Sequence, residues 1–344
     1  MKVLHLLSSN SFSGAENVVC QIIGMFKNDD CVEMIYVSPD GQIREALEER
    51  HVDFVPITKM SVKEVKRVIR EERPDVVHAH DMRASVIAAF SCGKVRLISH
   101  IHNNAFASRK ISVKSLAYLF AARKAEHIFW VSDNSYKGYK FNKLCASKSS
   151  VLYNVIDLNE LEKKMNGDEA TYDNDVVFVG RLSYEKNPLR LIKVIKIAAG
   201  FYPKLKVAIV GAGDLEAETK RLAKEYHLEN NIDFMGFKAN PLKIMHDSKL
   251  MLMTSRWEGT PMCALEAMAL GVPIVSTPTD GLRVLVEHGV SGFLADDDES
   301  LAKCVLSLVQ NNSLRADMSA KALESAIRIN DTAQYKAKIM GVLY

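Results

Sequence analysis

Two carboxylates, Glu258 and Glu266, stand with seven residues between them in Ser255-Arg-Trp-Glu-Gly-Thr-Pro-Met-Cys-Ala-Leu-Glu-Ala-Met-Ala-Leu-Gly-Val-Pro273. Thr260 is a suitable N-cap, Pro261 suits the first helical position, and Gly271 followed by Pro273 ends the run, so a helix is predicted over Pro261 to Leu270. Glu258 then lies just ahead of a helix start, where the backbone N–H groups of Gly259 and Thr260 form a place that also attracts phosphate. Glu266 lies inside the helix among Ala264, Leu265, Ala267 and Met268. A carboxylate on so apolar a helix needs donors, and sugar hydroxyls would serve. The bland alternative is a solvated loop acid and a salt-bridged helix acid.

Arg181 and Lys186 lie in Gly180-Arg-Leu-Ser-Tyr-Glu-Lys-Asn187, where Gly180 allows close backbone approach. Two fixed cations on such a loop suit a leaving diphosphate, whose charge grows as a glycosyl bond breaks. The same pair could be surface cations of little consequence. Gly211-Ala-Gly213 follows a strand, but Glu216 occupies the third glycine position of a dinucleotide fingerprint, which disfavours a dehydrogenase. In the first half, Ser13-Gly14-Ala-Glu16 opens a helix as a loop able to approach an anion. His100 and His102 end one strand; His78 and His80 end the preceding one and read mainly as structural.

These residues need elements that aim them. Short β-branched runs alternate with amphipathic stretches along the chain, the pattern of βα units around a parallel sheet. Strands are predicted at Lys2 to Leu7, Glu33 to Val37, Val52 to Pro56, Asp75 to Ala79, Arg96 to Ile101, His127 to Val131 and Ser150 to Tyr153. The pattern breaks at a polar, acidic stretch and restarts at Val176. We therefore expect an α/β protein of two Rossmann-like, doubly wound parallel-sheet domains facing a cleft. The first covers residues 1–157, a linker 158–174, and the second 175–328. A C-terminal helix over 329–344 is expected to pack back on the first domain.

The motifs resemble those of retaining glycosyltransferases of the GT-B fold, family 4. The E-x7-E pair Glu258 and Glu266 is joined, in the family's order, by Pro74-Asp-Val-Val-His-Ala-His80, Asn154-Val-Ile-Asp157, Gly180 to Asn187, Val210-Gly-Ala-Gly-Asp214 and Gly289-Val-Ser-Gly-Phe-Leu294. Two positions depart from the family: Ser13 replaces the first glycine of a Gly-Gly-x-Glu loop, and Val284 stands where many relatives carry an acid.

The resemblance implies transfer of a sugar from a nucleotide-diphosphate sugar, a UDP-sugar being expected, to a hydroxyl acceptor with retention by front-face attack. Arg181 and Lys186 would hold the diphosphate, Glu258 with Gly259, Thr260 and Pro261 the sugar hydroxyls, and Glu266 the donor ribose. Gly14, Gly180, Gly211 and Gly213 would line the donor. His102 would donate a hydrogen bond to a hydroxyl near the reacting centre, with His100 as the second choice. No cofactor and no metal is expected, since cations take the place of a D-x-D carboxylate cluster. The implied acceptor is a lipid-linked or polysaccharide intermediate of bacterial capsule, exopolysaccharide or O-antigen. Two rivals remain: an inactive glycosyltransferase-like partner subunit, and a nucleotide-sugar epimerase using Glu16 and Asp81.

Composition sets outer bounds. The chain has 344 residues, 48% hydrophobic and 25% charged, with 45 Lys plus Arg against 42 Asp plus Glu, a net charge of +3. That balance excludes a disordered chain and argues against nucleic acid as a partner. The six cysteines are scattered and read as reduced core thiols. With no apolar run of spanning length, a cytoplasmic protein is expected. Between Ala105 and Ser150, nine Lys and Arg face two acids, with Tyr118, Phe120, Trp130, Tyr136, Tyr139 and Phe141 interleaved. This segment is either a set of solvated helix faces or a surface that meets anionic lipid at the inner face of the cell membrane.

Overall fold

A computed structural model describes residues 1–102 and 106–343. The chain forms two compact units: residues 1–154 with 332–344, and residues 155–331. In the first unit the strands are β1 (Lys2–Leu6), β2 (Glu33–Pro39), β3 (Phe54–Ile57), β4 (Val76–Ala79), β5 (Arg96–Ile101), β6 (His127–Trp130) and β7 (Ser149–Val151). Among the described residues they make one parallel sheet in the order β3-β2-β1-β4-β5-β6-β7. In the second unit β8 (Asn174–Val179), β9 (Val207–Val210), β10 (Ile232–Gly236), β11 (Ser248–Met253), β12 (Ile274–Ser276) and β13 (Gly292–Leu294) order as β10-β9-β8-β11-β12-β13, again parallel.

Both orders reverse direction once, between β1 and β4 and between β8 and β11. At such a switch point the loops leaving the carboxyl ends of neighbouring strands diverge and open a crevice in each unit. The sheets hold because their strands bury both faces. Leu4, Leu6, Val77, Ala79, Leu97 and Ile101 pack against helices in the first unit, as Val176, Phe178, Ile209, Leu250, Leu252 and Val275 do in the second. Each fully buried Leu or Ile contributes about 1.5–3 kcal/mol.

Three expectations need correction. Segment 158–174 is no linker: helix Leu158–Asn166 is capped by Asp157, which accepts from the N–H groups of Asn159 and Glu160. The segment is also tied into the second unit, where Asn240 Nδ2 donates to Lys164 O (2.8 Å) and Tyr172 N to Asp247 (3.1 Å). Its polar composition hid a helix that buries only Leu161. Second, the aromatics of the basic segment are mostly interior: Tyr118, Trp130 and Tyr139 are buried, and Tyr136 and Phe141 pack against the same core. Third, the thiol of Cys31 is exposed, unlike those of Cys20, Cys92 and Cys145.

Helix Thr332–Leu343 belongs to the first unit and buries Tyr335, Ile339 and Leu343, one residue per turn. Arg96 donates to Val342 O (2.8 Å) and Leu343 O, and Lys336 Nζ to Met25 O (2.8 Å). No helix among the described residues is long and apolar enough to cross a membrane.

Candidate active site

In the second unit, the loop after β8 carries Gly180, Arg181 and Lys186, and the loop after β11 carries Glu258, Gly259 and Thr260. The two are stitched together. Thr254 Oγ1 donates to Asn187 O (3.1 Å), Arg256 N to Glu185 O (2.8 Å), and the Arg256 guanidinium lies 4.3 Å above the Tyr184 ring. Asn187 sits at φ 53°, a left-handed conformation that asparagine tolerates, and this turn delivers Pro188 to the start of helix Pro188–Phe201.

This stitching brings Lys186 Nζ within 2.6 Å of Glu258 Oε1, and Ser255 Oγ donates to the same oxygen at 2.5 Å. Burial pulls the Lys186 ammonium down, but the Glu258 carboxylate, by charge and by hydrogen bond, outweighs it and leaves the group above the ordinary lysine range. Arg181 is close enough to work against that rise, so the two cations share one neighbourhood. Arg181 itself is exposed. The Cys263 thiol is pushed up to about 11, by burial first and then by the charges of Glu258 and Glu266, with Lys186 opposing. Both carboxylates and the lysine thus act on Cys263 by charge. Spacing arguments passed over Ser255 and Cys263, although Ser255 lies three residues before Glu258 and could have been read as its donor.

Helix Met262–Ala269 begins one residue later than predicted. Pro261 occupies the cap position with ψ 119°, and its carbonyl accepts from Ala264 and Leu265, so Thr260 is outside the helix and buried. Glu266 is half-buried on a helix whose Met262, Ala264, Leu265, Ala267 and Met268 are buried.

Two glycines fix the backbone here. A Cβ on Gly211, at φ 144°, would stand 1.9 Å from Gly180 O, and one on Gly281 would stand 1.5 Å from Gly259 O. Leu182 N also donates to Ala212 O (2.9 Å). Gly211-Ala-Gly213 is therefore a backbone seam that holds the Arg181 loop, which is more than a tight turn requires.

In the first unit, Gly14 opens helix Gly14–Phe26, and Ser13 Oγ donates to Glu16 Oε2 at 2.5 Å, holding a buried carboxylate at the helix start. Asp81 caps helix Met82–Ser91, accepting from Ala84 N (2.6 Å), Ser8 N (2.9 Å) and Ser8 Oγ (3.0 Å). Both acids that an epimerase would use are thus engaged in shaping their helix starts.

The first unit also stacks five histidines on its central strands. His5 on β1, His78 on β4 and His100 on β5 share one face of the sheet, and His80 and His102 continue it beyond the strand ends. His78 and His80 have ring centroids 4.1 Å apart, and His100 and His102 4.2 Å. Burial depresses all five imidazoles, His5 and His102 to about 3, so the stack is neutral at pH 7. Two triads, His5/His78/His80 and His80/His100/His102, have nitrogens within 4.8 Å of one another, the geometric minimum for holding a metal. The period-two spacing of these histidines is visible in the sequence, while their gathering on one face follows from the strand register. His102 and Gly14 thus lie in the first unit, and the remaining predicted site residues in the second.

Two doubly wound parallel sheets, each with one switch point, define a two-domain α/β protein. Residues 12–160 match the model of Glycosyltransferase Family 4 and residues 160–325 that of Glycosyl transferases group 1. The chain belongs to this glycosyltransferase family, with the GT-B fold. It is 25% identical over 326 residues to the UDP-Gal:alpha-D-GlcNAc-diphosphoundecaprenol alpha-1,3-galactosyltransferase of Escherichia coli, covering 86% of this chain and 84% of that one. It is 30% identical over 234 residues to an uncharacterized glycosyltransferase of Methanocaldococcus jannaschii, covering 62% of this chain and 58% of the relative, less than two thirds of its length. Among solved structures, Anabaena Alr3699/HepE in complex with UDP and glucose has a TM-score of 0.86 at 24% identity, over 100% of this chain and 99% of that one, and shares its fold.

Proposed function

We propose that this chain is a metal-independent, retaining glycosyltransferase that moves a sugar from a UDP-sugar to a hydroxyl of a lipid-linked or polysaccharide intermediate in bacterial surface glycan synthesis. The observation that carries this reading is the Lys186–Glu258 pair on two interlocked loops, with Arg181 beside it. On breakage of the glycosyl bond, negative charge grows on the diphosphate, and Arg181 and Lys186 stabilise it more in the transition state than in the ground state. Glu258 and the backbone after it hold sugar hydroxyls, Glu266 the ribose, and His102 a hydroxyl near the reacting carbon.

The acceptor class is supported by the Escherichia coli relative, whose name gives a diphosphoundecaprenol-linked acceptor. It is also supported by a basic, apolar surface on the first unit. Ile111, Val113, Leu116 and Phe120 are exposed beside Arg109, Lys110, Lys114, Arg123 and Lys124. Such a surface suits an anionic membrane in which a lipid-linked acceptor resides.

The test is release of UDP from a panel of UDP-, GDP- and ADP-sugars, with and without undecaprenyl-diphosphate-linked acceptors. Turnover with one UDP-sugar, with the anomeric configuration kept in the product, is the expected result. Donor binding without turnover for any acceptor would favour the inactive partner subunit.

A further inference from the structure

Two buried imidazoles, His5 and His80, and a half-buried one, His102, form a hydrogen-bonded chain that begins on a sulfur atom. His5 Nε2 lies 3.3 Å from Met34 Sδ, His5 Nδ1 lies 2.9 Å from His80 Nε2, and His80 Nδ1 lies 3.0 Å from His102 Nε2. A thioether accepts weakly and has no proton to donate, so the proton in the first contact belongs to His5 Nε2. A neutral imidazole carries one N–H, which leaves His5 Nδ1 as a lone pair. His80 must then donate from Nε2, which leaves its Nδ1 bare, and His102 must donate from Nε2 in turn. The opposite order would press a bare nitrogen of His5 against a sulfur lone pair at the buried end of the chain.

We propose that Met34, His5 and His80 are positioning residues that lock His102 in its Nε2–H tautomer, so that its Nδ1 meets a substrate hydroxyl as an acceptor. This rests on the reading of His102 as a sugar contact. It reverses the donor role that the family resemblance implies, because the only N–H of the ring is committed to His80. His102 Nδ1 has no hydrogen-bond partner among the described residues. The polarity is set about three rings away from the substrate, by an atom that never touches it.

A metal held by His5, His78 and His80, or by His80, His100 and His102, is the competing account, and elemental analysis separates it from the hydrogen-bonded chain. Two nitrogens bound to one tetrahedral ion at about 2.0–2.1 Å stand about 3.3–3.4 Å apart. The contacts here, 2.9 and 3.0 Å, are hydrogen-bond lengths. One ion could not join His5, His80 and His102, because His80 turns a different nitrogen to each.

The experiment is long-range 1H–15N correlation on the full chain labelled at histidine nitrogens, with assignment by single His→Asn variants and elemental analysis of the same sample. The expected spectrum shows neutral Nε2–H tautomers for His5, His80 and His102. Met34→Leu, close in volume, removes the acceptor; the Nδ1–H form of His102 should then appear, and kcat should fall about fivefold, the net worth of one hydrogen bond, with donor KM nearly unchanged. Nδ1–H on His102 in the wild type, an imidazolium, or a stoichiometric metal with coordinated nitrogens would each overturn the lock. If Met34→Leu does not fold, the wild-type spectrum alone decides. Should the Nε2–H pattern be seen while His102→Ala leaves turnover intact, the lock stands and the sugar contact falls.

Discussion

Lys186 Nζ and Glu258 Oε1 are 2.6 Å apart, and Ser255 Oγ shares the same carboxylate oxygen. The cation assigned to phosphate and the carboxylate assigned to sugar therefore hold one another in place. Removing either partner leaves the other as a half-buried, unpaired charge. Lys186→Ala should lower kcat at least about 100-fold, as loss of a preorganised charge does, and lower stability by about 1–3 kcal/mol. The double variant Lys186→Met/Glu258→Gln should regain much of the stability and none of the turnover. Steady-state kinetics and urea denaturation separate the two effects; unchanged kcat in Lys186→Ala would remove the assignment.

Because protein cations are proposed to meet the phosphate charge, chelation should be without consequence. Turnover after dialysis against EDTA should stay within about twofold. A loss restored by Mg2+ or Mn2+ would replace the cation mechanism with a metal-assisted one.

Glycine positions give a test of the backbone seams. Gly281→Ala would place a Cβ 1.5 Å from Gly259 O, and Gly211→Ala one 1.9 Å from Gly180 O. Backbone has to move in both, and we expect a loss of about 2–4 kcal/mol together with loss of UDP binding, read by denaturation and by calorimetry. Gly24→Ala is the control: it lies in helix Gly14–Phe26 with nothing within 4 Å of the new Cβ, and should stabilise by about 0.5–1 kcal/mol.

Much of this architecture is legible from residue pattern. Strand β5 falls where periodicity puts it, because Arg96 to Ile101 is bounded by turn formers, and helix Val62–Glu72 starts at Ser61, a side-chain cap accepting from Glu64 N. Helices Ile43–Glu48 and Asp133–Gly138 escaped notice, as six residues are too few to show a period. The Lys186–Glu258 pair, 72 residues apart, comes from loop stitching through Arg256 and Thr254 that no local rule encodes. The histidine stack was spelled out by alternation, but its hydrogen-bond order needed the position of Met34 on a neighbouring strand.

That stack makes stability depend on pH. All five histidines are depressed in the folded state, so below about 6.5 the unfolded chain binds protons that the native core refuses. Stability present above pH 6.5 is lost progressively as pH falls toward about 3, the folded value for His5 and His102. Each histidine adds about 1.4 kcal/mol per pH unit to the slope. The urea midpoint should drop steeply between pH 7 and 5, above the range where most carboxylates titrate. His78→Asn should flatten that slope by about one proton. A midpoint independent of pH over this interval would mean that the imidazoles are not buried neutral.

Val113 is 86% exposed, Ile111 68%, Phe90 54%, Leu116 50% and Phe120 37%. Residues 113, 116 and 120 share one stripe of helix Val113–Lys124, and Phe120 stacks on Phe90 at 4.7 Å. A solvent-facing apolar stripe is unfavourable unless something covers it, and the flanking Arg109, Lys110, Lys114, Arg123 and Lys124 favour an anionic cover. Each cation near a charged bilayer contributes about 1 kcal/mol, and the apolar side chains add their burial. The protein should sediment with phosphatidylglycerol vesicles, less so as salt rises and only weakly with phosphatidylcholine. Val113→Glu/Leu116→Glu should abolish this binding, and Lys114→Glu should weaken it and shift its salt dependence. Both variants should keep their soluble-donor hydrolysis rate, because none of the three positions lies among the second-unit residues proposed to hold the donor. Equal binding to neutral vesicles, or binding that ignores both salt and the glutamate pair, would rule this surface out as the membrane contact.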